Sequence, residues 1–186
     1  MTSQDFLPQG GSLLAGTTTE RAALAQQASA TAVVPHTSIH WVEANGINVF
    51  YREAGAPDAP VVLLLHGFPT SSFMYRELIP RLADRYRVIA PDLPGFGFTE
   101  VPAERKFIYS FDALAQTILA FVDALQIKRY ALCVFDYAEA FKRDIPGADV
   151  RFFDTGHFAL ETHGPEIAAA VRDFLDRKLR LRSSGA

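Results

Sequence analysis

The sequence is short of cysteine, of long apolar runs and of any large excess of one charge, and each shortage removes a class of protein. One cysteine, Cys133, among 186 residues leaves no partner for an internal disulfide and fits a reducing compartment. No cluster of Cys or His has the spacing of a zinc site, so neither metal nor cofactor is expected. The longest apolar run is far below the roughly 20 residues a membrane span requires, and the first residues lack the positive and apolar regions of a secretory signal. A soluble cytoplasmic protein is the expectation. Acidic and basic residues are interspersed and the formal net charge is -3, which leaves no basic surface for nucleic acid or an anionic membrane. Nucleotide-loop signatures are missing too. Gly95-Phe96-Gly97 lacks a third glycine and opens a loop rather than a helix, and no Walker lysine motif occurs.

What is present is apolar sequence sufficient for one core, 49% of the residues, so one domain with a tail is expected. Residues 1–34 are rich in Ala, Thr, Gln and Gly. Leu24 is the only large apolar anchor in the weak helical stretch Glu20 to Ala30; a mobile N-terminal arm is predicted there, with the domain spanning 35–186. Alternating residues Ser38 to Glu43 and Ile47 to Glu53 flank Asn45-Gly46, a strong hairpin signal. Val61 to Leu65 is an unbroken branched-apolar run, the pattern of a central strand buried on both faces of a largely parallel sheet. Ser71 or Ser72 caps a helix carrying Tyr75, Leu78, Ile79 and Leu82 inward, with Pro80 at a kink or in the first turn of a second piece. A strand from Tyr86 to Ala90 completes a crossover unit. Ser110 caps a helix whose core face is Phe111, Leu114, Ile118, Val122 and Leu125. Strands are predicted over Tyr130 to Phe135 and Val150 to Phe153, adjacent and parallel. A last helix starts at Pro165 and presents Ile167, Val171, Phe174, Leu175 and Leu179.

Three short stretches carry chemistry. His66-Gly67-Phe68-Pro69 ends the central strand with backbone N–H groups facing the crevice where open α/β sheets bind ligands, the place for an oxyanion hole. Asp136 stands at the end of another strand where a helix begins, the position of a nucleophile elbow. Ala138 two residues on suits the crowded turn, and Val134 two before is larger than ideal. Gly156-His157-Phe158 lies between the predicted last strand and last helix. Cys133 sits inside an apolar strand and reads as inert. Asp92 reads as loop chemistry, and His40, His66 and His163 as structural or solvated, with His66 beneath the oxyanion turn.

Together these stretches resemble the α/β-hydrolase superfamily, in its epoxide hydrolase and haloalkane dehalogenase-like branch. No Gly-x-Ser-x-Gly occurs, which argues against a serine esterase of this fold. The resemblance implies a shortened α/β-hydrolase fold, with a mostly parallel sheet flanked by helices and an N-terminal antiparallel hairpin at one edge. It implies Asp136 as nucleophile, His157 as general base, and the Phe68 and Tyr137 N–H groups as the oxyanion hole. It also implies a small organic substrate: an epoxide, a haloalkane or an ester. Phe68 and Tyr137 stand where dehalogenases usually carry halide-binding Asn or Trp, which favours the epoxide. The resemblance breaks after Tyr137. Ala138 to Asp144 looks like the helix before the last strand, so the cap, two strands and the usual acid-bearing region are missing. Asp154 is the candidate orienting acid, ahead of Glu139 and Asp144. An inert hydrolase-like scaffold or interaction module is the competing expectation.

Overall fold

The computed structural model describes residues 35–136, 145 and 147–183. The expected arm, Tyr137, Glu139 and Asp144 lie outside the described residues. Strands β1 (Ser38–Ala44) and β2 (Ile47–Ala54) pair antiparallel from Ser38 opposite Glu53 to Ala44 opposite Ile47. Asn45 and Gly46 turn the chain between them at φ of 54° and 71°, the left-handed pair that a two-residue hairpin turn needs. β3 (Val61–Leu65) buries Val62, Leu63 and Leu64. After a single 3-10 turn, Ser72–Tyr75, comes α1 (Leu78–Leu82). Pro80 falls in the first turn of α1, where an amide hydrogen would have no helical partner. β4 (Arg87–Pro91) follows, then α2 (Phe111–Ala124), whose first turn is capped by Ser110 Oγ accepting the Ala113 N–H at 3.2 Å. The chain continues through β5 (Tyr130–Val134), the short α3 (Ala159–Thr162) and α4 (Gly164–Ser183).

The strands form one sheet in the order β1-β2-β4-β3-β5. β4, β3 and β5 run parallel, with Val61 opposite Tyr130 and Leu65 opposite Val134. Side-chain alternation divides the core in two. Val62, Leu64, Val88 and Ala90 face α1 and α4, packing with Tyr75, Leu82, Tyr86 and Leu175. Leu63, Ile89, Val49 and Tyr51 face α2, packing with Ile118, Phe121 and Val122. Phe121, which the spacing did not single out, is fully buried edge-on to Tyr51. Phe111, expected in the core, is 70% exposed; the buried residues of α2 begin only at Thr117.

The strand expected over Val150 to Phe153 does not form. That segment is tied to α4 instead: Arg151 bonds Asp149 and Asp173, and Arg177 bonds Asp149. The segment makes these ion pairs with α4 and no ladder with β5. The sheet is mixed, because β1, β2 and β4 pair antiparallel, and among the described residues β5 is an edge strand whose Leu132 is 42% exposed. α4 is held by Asp176, which accepts hydrogen bonds from Arg85 at 2.8 and 3.2 Å and from the Tyr86 hydroxyl at 3.0 Å. No described helix is long and apolar enough to cross a membrane.

Candidate active site

The carboxyl ends of β3 and β5 lie side by side, because Leu65 pairs with Val134 and the Phe135 N–H reaches the Leu65 carbonyl at 3.2 Å. This pairing sets the turn after β3 against Asp136. The Phe68 N–H donates to Asp136 Oδ2 at 2.9 Å. Asp136 takes a left-handed φ of 63°, a conformation that costs a non-glycine residue about 1–3 kcal/mol and recurs at functional turns. Gly67 makes the approach possible, since a Cβ there would lie 2.1 Å from Asp136 Oδ2.

His157 reaches the same point from the loop before α3. Its Nε2 lies 2.9 Å from the Phe68 carbonyl oxygen, which can only accept, so Nε2 carries the proton. Its Nδ1 faces Asp136 Oδ1 at 3.7 Å. The Phe68 backbone thus touches both members: its N–H holds the carboxylate and its C=O holds the imidazole. The rings of Phe135 and Phe158 stand edge-on to His157, at centroid distances of 5.7 and 5.2 Å.

Beneath the turn, buried His66 bridges two loops. Its Nδ1–H donates to the Gly67 carbonyl at 2.8 Å and its Nε2 accepts the Leu93 N–H at 2.9 Å. Burial pushes its pKa below the usual imidazole range, against the opposing pull of the Gly67 carbonyl and Asp92. Asp92, fully buried, takes the Ser72 N–H at 2.7 Å and the Phe98 N–H at 2.8 Å. It braces the loops around the site and touches no reacting position. The Tyr75 hydroxyl donates to the Leu65 carbonyl at 2.7 Å, and burial, reinforced by Cys133 and Asp136, raises its pKa well above the phenol range. Burial likewise pushes the Cys133 thiol up to about 11.

Asp136, His157 and Phe68, read from the sequence as site residues, are therefore brought together. Asp154 is not. It is exposed, and no hydrogen bond or ion pair joins it to His157 among the described residues: Nδ1, which it was expected to reach, faces Asp136 and Nε2 is held by the Phe68 carbonyl. Tyr137 lies outside the described residues. Sequence reasoning missed that carbonyl, since a backbone oxygen carries no side-chain signature. Asp136 and His157 both line a cavity of about 560 Å³ between β5, residues 147–157 and α4. Among the described residues no three His, Cys, Asp or Glu side chains converge as a metal site would require.

Comparison with known proteins bears on the fold. Residues 60–138 match the family model of the α/β hydrolase fold. An uncharacterized hydrolase of Saccharomyces cerevisiae is 57% identical over 93 residues, covering 50% of this chain and 31% of its own. The structure of a haloalkane dehalogenase from Bradyrhizobium elkani is similar at a TM-score of 0.52 and 38% identity, covering 57% of this chain and 36% of that one. An epoxide hydrolase from Vigna radiata gives a TM-score of 0.50 at 38% identity, covering 54% and 32%. The chain thus spans about a third of the length of each of these relatives.

Proposed function

We propose that this chain, which belongs to the α/β-hydrolase superfamily and resembles its epoxide hydrolase and haloalkane dehalogenase branch, is a hydrolase of small organic electrophiles, epoxides first, working through an aspartyl ester. The observation that carries the reading is the convergence of Asp136, in its left-handed turn, with the Phe68 N–H and the His157 imidazole.

The two carboxylate oxygens have different partners, and this assigns the steps. Oδ2 is held by the Phe68 N–H, so Oδ1, on the His157 side, attacks the substrate carbon. In an epoxide the Oδ1–C bond forms as the ring C–O bond breaks, and the alkoxide takes its proton from solvent at the open mouth. Oδ2 is then the ester carbonyl, already seated against the N–H that will stabilise the tetrahedral oxyanion. With Nε2–H fixed on the Phe68 carbonyl, Nδ1 is the free basic nitrogen facing the ester. It removes a proton from a water that attacks Cγ. As the intermediate collapses the Cγ–Oδ1 bond breaks, the imidazolium returns that proton to the leaving alkoxide to give the diol, and the carboxyl group loses the water's second proton to solvent, restoring the carboxylate.

The test is turnover of an epoxide, haloalkane and ester panel. Asp136→Asn keeps the shape and tolerates the left-handed turn, and is expected to lose turnover on the order of 10³-fold or more. His157→Gln is expected to stop after the first step, leaving a substrate-sized mass adduct on Asp136. Turnover unchanged in Asp136→Asn would overturn the assignment. No turnover in any form would favour the second reading, an inert hydrolase-like scaffold, which the lack of a carboxylate on His157 other than that of Asp136 among the described residues supports.

A further inference from the structure

The cavity beside Asp136 and His157 lies between β5 and α4. Its floor is the α4-facing side of β5, Ala131 and Cys133, and its opposite wall is α4, with Ile167, Val171 and Phe174. Asp136 and His157 stand in its lining at the carboxyl end of the sheet, and Arg151 and Lys178 line it elsewhere. At about 560 Å³ it falls within the range of small-molecule sites, 300–1,000 Å³.

The polar side chains in the wall already have partners. Arg151 is paired with Asp149 and Asp173, and Lys178 lies over the Phe174 ring, 5.6 Å from its centroid. The Tyr75 hydroxyl is on Leu65 and the Thr155 hydroxyl on Thr162. Among the described side chains this leaves Asp136 Oδ1 and His157 Nδ1, which face each other at 3.7 Å, the Cys133 thiol, which burial keeps protonated, and the exposed Lys178 ammonium to meet a guest. A guest matching this wall has an uncharged, apolar body and one electrophilic end. From this we infer that the cavity is a binding site for an unbranched hydrocarbon chain. It seats the tail of a terminal epoxide whose ring lies at Asp136; the chemical half of the inference rests on the nucleophile reading above, whereas the binding half does not.

The single cysteine is a built-in reporter, since a chain lying between β5 and α4 covers its thiol. The experiment measures the rate of Cys133 modification by 4,4′-dithiodipyridine at pH 9 in the presence of 1-hexanol, 1-octanol and 1-decanol. The expected result is protection that saturates, with the dissociation constant falling about fourfold for each added methylene. Asp136→Asn is expected to bind 1-decanol as the parent chain does. Ala170→Phe on α4 and Ala131→Phe on β5, which fill the cavity from opposite walls, are expected to weaken it tenfold or more, their thermal melts confirming that each is folded. In the parent chain KM for 1,2-epoxyalkanes should fall with chain length in parallel.

Protection that does not depend on chain length overturns the inference, as does epoxide turnover with a KM indifferent to chain length, which would leave the hydrolase reading standing. Saturable, length-dependent binding with no turnover supports the site and removes the hydrolase reading instead. A thiol already protected in ligand-free protein that sediments as a dimer also overturns it, because the wall is then an interface between copies.

Discussion

Gly67 shows how one residue can matter to chemistry and little to folding. Its hydrogen faces the Asp136 carboxylate, and a methyl in its place would meet Oδ2, Cγ and Cβ of Asp136 at 2.1 to 2.9 Å. Rotation about Cα–Cβ clears Oδ2 and Cγ by swinging the carboxylate away from the Phe68 N–H, and the remaining contact with Cβ needs only a small shift of one turn against the other. Gly67→Ala should therefore leave the melting temperature within a few degrees of the parent and lower kcat about 10²–10³-fold, the usual effect of removing one oxyanion-hole donor. A variant that unfolds, or one that retains full turnover, would show that the carboxylate is not held where the steps require it. Asp136 and His157, which the structure brings within 3.7 Å of each other, could be picked out as candidates from the sequence because each is a titratable side chain at a strand or loop end. The need for glycine at position 67 and the use of the Phe68 carbonyl were not, since both depend on how closely two turns approach.

Among the elements, those with a local signal were readable and those defined by a distant partner were not. Asn45-Gly46 demands positive φ at both positions, Ser110 caps α2 with its own hydroxyl, and Val61 to Leu65 carries enough apolar surface to be buried wherever the sheet lies. Val150 to Phe153 looked like a strand by the same apolar content. It joins α4 instead through Asp149, Arg151, Asp173 and Arg177, and such pairs across 20 or more residues have no periodic trace. The consequence falls on β5. In a parallel ladder alternate amides point to one neighbour, and the Phe135 N–H points to β3, so those of Ala131 and Cys133 do as well. The amides of Leu132 and Val134 then face the open edge. Native-state hydrogen exchange should show this alternation, with Ala131, Cys133 and Phe135 protected and Leu132 and Val134 fast. Uniform protection along β5 would mean that another strand covers the edge.

At the scale of the molecule, the two cores lie on opposite faces of the same strands, so neither can be lost alone. β3 gives Val62 and Leu64 to one and Leu63 to the other; β4 gives Val88 and Ala90 to one and Ile89 to the other. Two sets of chromophores report on separate regions. Trp41, on β1, is 48% exposed and packs edge-on to Phe50, while Tyr75 and Tyr86 are buried on the α1 and α4 side. Trp41 fluorescence and tyrosine near-UV circular dichroism should melt together, the test of a single cooperative transition. His66 adds a pH dependence to that transition, because it joins the β3 turn to the loop after β4 while neutral. Its folded pKa lies below the unfolded value of about 6.5, so the unfolded chain binds the proton more readily as pH falls. Its contribution is fully present above about pH 6.5 and is lost as pH drops toward the folded pKa. The shared melting temperature should fall with a steeper slope below pH 6.5 than above, and His66→Gln should flatten that slope. Protonation would also set two N–H groups against each other at Leu93, so the loss should appear in both probes at once. A tyrosine signal that drops on acidification ahead of Trp41 would instead show that the β1–β2 hairpin and the parallel part of the sheet come apart.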